Sequence, residues 1–355
     1  MSTAVAPVMR VEAVTAGHAG RLRASWTRAA GLTAAVVVLA VVAMVSIGSG
    51  SKPMSLPTVW DGLWSYDPTN SDHLIVRTLR VPRTLMGLLV GAALGLAGGV
   101  MQGVTRNPLA DPGILGIESG ASLAVVVGIH AFGIGTFGGY VWLAFAGAAV
   151  ASLVVYLLGS LGRGGATPVK LALAGAALSA LLGSITTSIL LLDVATLDQF
   201  RFWVVGSLAG RDTEVVADLA PFIAVGVVLA LASAGQLNAL ALGDDVARSL
   251  GQRLGVARMT SAVSVIVLAG GATAAAGPIG FVGLTVPHVA RAICGPDYRW
   301  ILPWSAVLAP MLLLGADVAG RVIARPGEVQ VGILTAVLGA PSFIALVRRR
   351  KLAEL

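Results

Sequence analysis

Ten apolar runs of roughly 15 to 24 residues punctuate this chain, close to the length a helix needs to cross the hydrocarbon core of a bilayer. They lie at about 31–47, 84–104, 114–132, 138–161, 170–192, 215–234, 260–277, 280–294, 301–318 and 330–347. None alternates polar and apolar positions as a barrel strand does. Only helices and closed barrels satisfy every backbone amide in lipid, so the class is all-α, a polytopic membrane protein of about ten transmembrane helices. Composition agrees, because 56% of the 355 residues are apolar and only 12% charged, too little polar surface for a soluble globule.

The Lys and Arg of the short loops predict orientation. Arg10, Arg21, Arg23 and Arg28 precede the first run and Arg348-Arg349-Arg350-Lys351 follow the last, which puts both termini in the cytoplasm and requires an even number of spans. The connections bearing Arg163 and Lys170, then Arg248, Arg253 and Arg258, then Arg291 and Arg299, fall on the same side. The organisation is therefore a cytoplasmic tail over 1–28 and one transmembrane domain over 29–350, containing a cytoplasmic loop over 235–259. The first run is read as a retained helix, because no small-residue cleavage site follows it. Lys52, Arg77, Arg80 and Arg83 break the charge rule by falling outside. Each would cost roughly 2.5–3.5 kcal/mol at the bilayer centre, so segment 49–83 is expected at or beyond the membrane surface, with Trp60, Trp64 and Tyr66 in an aromatic belt.

Several function classes find no support. The chain has no G-x-x-x-x-G-K-[ST] phosphate loop, so ATP-driven work needs a partner to supply the ATP. It has neither H-E-x-x-H nor G-x-S-x-G, and His18, His73, His130 and His288 are scattered. A single cysteine, Cys294, excludes an internal disulfide and a thiolate metal cluster. The net charge of +7 fits loops meeting anionic lipid, not nucleic acid. An ion-coupled carrier needs an ionisable residue or a broken helix at mid-membrane. Asp317 and Glu118 lie near the ends of runs, while Gly277-Pro278-Ile279-Gly280 is a possible break, which keeps that class as an alternative.

Three segments carry more specific information. Gly243 to Gly251 is a polar, glycine-bounded insert in which Asp244 or Asp245 can cap a short helix and Gly251 can end it in a left-handed conformation. Val246 and Leu250 then share a face, which suits a grip for another protein. Between the second and third runs, Asn107, Pro108 and Asp111 belong to a stretch whose prolines and glycines force a compact turn. In the fifth run, Gly175, Ser179 and Gly183 recur every four residues and Thr186 and Thr187 follow, giving a small-sided helix face that permits close approach.

Together with Leu79-Arg-Val-Pro-Arg83, Phe202-Trp-Val-Val-Gly-Ser-Leu-Ala209, Gly280-Phe-Val-Gly-Leu-Thr-Val-Pro-His-Val-Ala-Arg291 and Leu338-Gly-Ala-Pro-Ser-Phe343, these segments closely resemble the FecCD family from about residue 30 to 350. These are permeases of ATP-binding-cassette importers for iron-siderophores, haem and cobalamin. The resemblance implies a cobalamin-importer-type permease fold in a bacterial inner membrane. It implies a second permease copy or a related permease, two ATPase subunits that hold the ATP and Mg, and an extracytoplasmic binding protein, periplasmic or a lipoprotein. It implies no cofactor or metal on this chain, because the iron travels inside its siderophore. It assigns Gly243, Asp244, Asp245, Ala247, Leu250 and Gly251 to the loop that couples to the ATPase. Arg80, Arg83 and Arg321 are assigned to docking of the binding protein, and Gly175, Ser179, Gly183, Thr186 and Thr187 to the translocation path. One departure is Glu328-Val-Gln330, where the family often has Glu-Leu-Pro.

Overall fold

The computed structural model describes residues 6–161 and 167–349; Arg163, Arg350, Lys351 and the first five residues of the tail lie outside them. All ten apolar runs are helices. They fall in α1 (Ala6–Gly48), α4 (Val81–Thr105), α5 (Ile117–Phe132), α6 (Phe137–Ser160), α7 (Pro168–Leu192), α9 (Thr213–Ala232), α12 (Leu254–Ala276), α13 (Val282–Cys294), α14 (Tyr298–Ile323) and α15 (Val331–Arg349). Seven are long and apolar enough to cross a membrane, while α5, α13 and α15 supply shorter apolar stretches. Short helices fill the connections: α2 (Leu56–Trp64), α3 (Ser71–Ile75), α8 (Val194–Val204), α10 (Ala234–Ala241) and α11 (Asp244–Ser249).

Local chemistry sets where these helices begin. Ser55, Asn70, Thr167, Asp193, Asp212 and Asp297 each place a side-chain oxygen on a free amide of the following first turn. Gly133 ends α5 in a left-handed conformation, and Arg106 does the same for α4 without a glycine. A widened π turn, Val76–Arg80, joins α3 to α4 and rotates the residues that follow relative to those before it. Gly277-Pro278-Ile279-Gly280 separates α12 from α13, with Gly277 and Phe281 both at positive φ.

The core is organised around α4, which packs against α9, α12, α13 and α14. Its glycines bring backbones into contact. A Cβ at Gly91 would lie 2.5 Å from Pro310 of α14, one at Gly95 would lie 2.5 Å from the Ser305 carbonyl, and one at Gly98 would lie 1.8 Å from the Gly283 carbonyl. Small residues are used in this way where lipid gives helices no hydrophobic reason to associate and close van der Waals contact must hold them. At the periphery the pattern reverses. The most apolar windows of α1 and α7 are only 11% buried, against 78% for the α3–α4 span. α2 lies outside the bundle with Trp60 and Trp64 largely exposed, in keeping with an interfacial helix.

Candidate functional site

Chemistry-bearing side chains concentrate at the two ends of the bundle. At one end, α9 continues through α10 into the short helix α11, and the chain re-enters the bundle as α12. Gly243 precedes α11 at φ +101 and Gly251 follows it at φ +81, both where glycine is favoured. Neither aspartate caps the helix as its sequence position predicts, because the N-cap is Gly243 and makes no side-chain cap bond. Instead Asp244 points into the bundle. One of its oxygens takes a 2.7 Å bond from Arg258 of α12, and the other lies 3.3 Å from Arg106 of the α4–α5 turn. Asp245 is 98% exposed and pairs with Arg248. Ala247 is buried, whereas Val246 and Leu250 are exposed and form an uncovered apolar face.

The turn after α4 braces this clamp. Asn107 Oδ1 accepts from the Leu109 amide at 2.9 Å, Asp111 Oδ1 accepts from the Gly113 amide at 2.8 Å, and the Pro108 carbonyl is held 2.7 Å from His288 Nε2 on α13. Burial raises the Asp111 carboxyl above its ordinary range, while the Gly113 amide opposes the shift. Sequence reasoning assigned no role to Arg106. The available signal was a basic residue between the end of an apolar run and a turn-forming Asn-Pro pair.

At the opposite end, the three arginines expected to dock a partner lie close together but largely inside the chain. Arg80 is 5% exposed and donates to the carbonyls of Ile47, Gly48 and Lys52 at 3.0, 2.8 and 2.6 Å. Arg321 is 1% exposed and donates to the carbonyls of Ser46 and Ser49 at 2.9 and 2.6 Å, and to Ser46 Oγ at 2.8 Å. The Ser46, Ile47 and Gly48 carbonyls belong to the last turn of α1, which leaves them without intrahelical partners at the negative end of its dipole, so the two guanidiniums cap α1 and, through Ser49 and Lys52, hold the segment that follows it. Fully buried Asp317 sits between Arg321 at 2.9 Å and Arg83 at 2.7 Å, and Arg83 also reaches Glu328 at 2.7 Å. Of the three arginines assigned to docking, Arg80 and Arg321 point into the chain. Their π-turn and α14 positions face the end of α1, and only Arg83, with 11% of its side chain exposed, keeps an outward edge. All three nevertheless line an open cavity of about 470 Å³, together with Lys52, Arg211 and Asp212. Burial pushes the Arg211 guanidinium down to about 10, and it donates to the Ala275 carbonyl at 2.7 Å.

The small-sided face of α7 divides in two. Gly175 is occupied within the chain, since a Cβ there would lie 1.8 Å from the Ile114 carbonyl, and Ser179 faces Gly116. Thr186 is buried and bonded back to the Leu182 carbonyl at 2.8 Å. Gly183 meets nothing within 4 Å, and Thr187 is exposed. α7 packs on α5, α6 and α8, which leaves its far side, including Ala176, Ala180, Ser184 and Ser188, uncovered. Among the described residues, no three His, Cys, Asp or Glu side chains converge as a metal site.

Residues 37–349 match the FecCD transport family. The chain is 45% identical to the ferric enterobactin transport system permease protein FepD of Escherichia coli (strain K12), over 91% of this chain and 96% of FepD. It is 42% identical to the iron(3+)-hydroxamate import system permease protein FhuB of Bacillus subtilis (strain 168), over 90% of this chain and 83% of FhuB. Identity to the hemin transport system permease protein HmuU of Yersinia pestis is 36%, over 89% of this chain and 94% of HmuU. Among solved structures, an inward-facing metal-chelate type ABC transporter superposes with a TM-score of 0.79 at 28% identity, covering 90% of this chain and 99% of that one.

Proposed function

The chain belongs to the FecCD transport family, and on that premise we propose that it is the membrane permease of an ATP-binding-cassette importer for iron(III)-siderophores. It is the non-catalytic, multi-pass component, working with ATPase and binding-protein partners. The observation that carries the substrate class is the likeness over most of their length to FepD and FhuB, at 45% and 42% identity, above the 36% and 37% to the hemin and cobalamin permeases.

In this reading the α11 end faces the cytoplasm, as do both termini, in a bacterial inner membrane. Val246 and Leu250 enter a groove on the ATPase. Movement of α11 passes through Asp244 to Arg258 on α12 and to Arg106 on the α4–α5 turn, so one carboxylate links the grip to two transmembrane helices. At the outer end, Arg83 offers its remaining edge to an acidic residue of the binding protein, in a cavity whose walls Arg80 and Arg321 hold in place. A guanidinium suits this task because its planar fork matches a carboxylate, and an exposed pair of this kind governs docking rate and register. Gly183 and Thr187 face the translocation path, which a second copy or a related permease completes. Gly175, Ser179 and Thr186 support that wall from within. The chain itself holds no nucleotide, and the iron stays in its chelator throughout.

Uptake of radiolabelled ferric siderophore into proteoliposomes holding this chain, its ATPase and its binding protein tests the reading. Asp244→Arg/Asp245→Arg should assemble in the membrane yet lose both transport and ATPase stimulation. Normal transport by that variant would reduce α11 to a connection. Uptake that persists without the ATPase and collapses with an uncoupler would replace the importer with an ion-coupled carrier.

A further inference from the structure

Helix α4 carries a glycine at every fourth position from Gly87 to Gly103, and α14 lies in the groove they leave. A Cβ at Gly87 would come within 2.4 Å of Leu314, at Gly91 within 2.5 Å of Pro310, at Gly95 within 2.5 Å of the Ser305 carbonyl, at Gly99 within 2.9 Å of Leu302 and at Gly103 within 3.0 Å of Tyr298. These contacts run antiparallel along most of α14, whose 26 residues span about 39 Å. They support the helix around Pro303 and Pro310, where it could otherwise bend. At the outer end Arg83 of α4 holds Asp317 of α14, so charge fastens the two helices as well. Such a pair moves as one body. Beside Gly103, at the other end, the pair is clipped to α10. Asn238 uses both ends of its amide there: Nδ2 donates to Asp297 Oδ1 at 2.6 Å, and Oδ1 accepts from the Tyr298 backbone N–H at 2.9 Å. Asp297 is the residue that caps α14, so the clip grips that helix at its first turn. The neighbouring Leu237, fully buried, also meets α4 where Gly103 leaves room, 3.0 Å from the position of a Cβ. Leu242 and Gly243 alone separate α10 from α11.

We infer that Asn238 is a positioning residue for energy coupling. It fastens the α11 grip to the α4–α14 body, so that a displacement of α11 reaches Arg83 at the outer end and docking at Arg83 reaches α11. The inference rests on the reading of the chain as an importer permease, and adds to it a route separate from the Asp244 clamp, which leads to Arg258 and Arg106. Coupling between distant sites is carried by rigid elements joined through packing and hydrogen bonds, and two helices with their backbones in contact supply the rigid part. The clip supplies the joint. An amide suits it because one side chain must donate to a carboxylate and accept from a backbone N–H at once, which neither a carboxylate nor an ammonium can do.

The readout is ferric siderophore imported per ATP hydrolysed, measured in proteoliposomes holding the complete complex. A merely structural role would lower transport and hydrolysis together and leave that ratio unchanged. Asn238→Ala removes both bonds of the clip and should lower the ratio about five-fold, the small end of the usual range for coupling between sites. Asn238→Asp sets a carboxylate against Asp297 and should lower it at least as far. Asn238→Asp/Asp297→Asn exchanges the amide and the carboxylate, so a donor again faces an acceptor and α14 keeps a capping side chain, and the ratio should return. A wild-type ratio in Asn238→Ala overturns the inference. So does a double exchange that recovers the wild-type thermal midpoint without recovering the ratio. If Asp244→Arg/Asp245→Arg abolishes uptake while the Asn238 variants keep the wild-type ratio, the Asn238 route falls and the importer reading stands. Wild-type uptake that proceeds without ATP removes both.

Discussion

The two ends of this bundle use the same ingredients, arginines and aspartates, in opposite ways. At the Arg80 end a fully buried carboxylate, Asp317, is enclosed by Arg83 and Arg321, and Arg80 and Arg321 are spent on the end of α1. At the Gly243 end Asp244 is 28% exposed, its two arginines are partly solvated, and apolar Val246 and Leu250 project outward. The difference is in what each charge is asked to do. Buried pairs that satisfy backbone carbonyls fix the position of a helix, whereas a solvated pair under a short exposed helix transmits a displacement and can be re-formed. The first end is a joint and the second is a handle.

The contrast can be broken most severely at Asp317. Asp317→Asn preserves volume but leaves two buried guanidiniums short of a carboxylate, and should destabilise the protein by about 3–5 kcal/mol, read as a lower unfolding midpoint in detergent. Arg321→Lys tests whether the fork matters beyond its charge. One ammonium cannot reach Asp317, Ser46 and Ser49 together, so a loss of about 1.5–3 kcal/mol is expected. Asp244→Ala should cost about 1 kcal/mol or less in the same assay, while ATP-driven uptake falls by at least the amount that protein abundance cannot explain. A stability loss at Asp244 matching that at Asp317 would erase the distinction between joint and handle.

The smallest effect is expected at Asp193, a partly exposed residue of the Arg80 end. The Thr196 hydroxyl, then His130, then backbone amides at the start of α8 hold its carboxyl well below the ordinary carboxylate range. Its contribution is therefore fully present above the unfolded value near pH 4 and is lost only as pH falls further towards the folded value. Hydrogen exchange at the Thr196 amide should lose protection in that acid window alone, with the buried end unaffected. Protection that persists unchanged through that acid window would mean that the cap does not rest on the Asp193 carboxylate.

The ten apolar helices, seven of them long enough to cross a membrane, were legible because lipid admits so few structures that the length of an apolar run nearly decides the matter. The polar insert was legible for the same reason, as a hydrophilic exception in a hydrophobic chain, and Gly251 takes the left-handed conformation expected of it. The destinations of the charges were harder to read. Span counting places Arg80 outside against the charge rule, yet two of its partners are carbonyls at the end of a helix that stops 32 residues earlier, and those of Arg321 lie 275 and 272 residues away. No local pattern encodes pairings at that separation. Asp244 was read as a cap because caps are local, whereas its partners Arg106 and Arg258 come from two other elements. The spacing of Gly175 and Ser179 correctly signalled close approach but could not say that the approaching atoms belong to the same chain.

The backbone contacts of α4 have a consequence for how the gene can drift. Every single-base change in a glycine codon that alters the amino acid adds at least one carbon, and at Gly91, Gly95 and Gly98 that carbon would arrive between 1.8 and 2.5 Å from a neighbouring helix. Side chains that face lipid, such as those on the outer side of α1, can exchange among apolar types at little cost. The mutational tolerance of this permease therefore falls steeply from the lipid-facing rim to the central helix, and inherited variation will accumulate where the chain meets the bilayer.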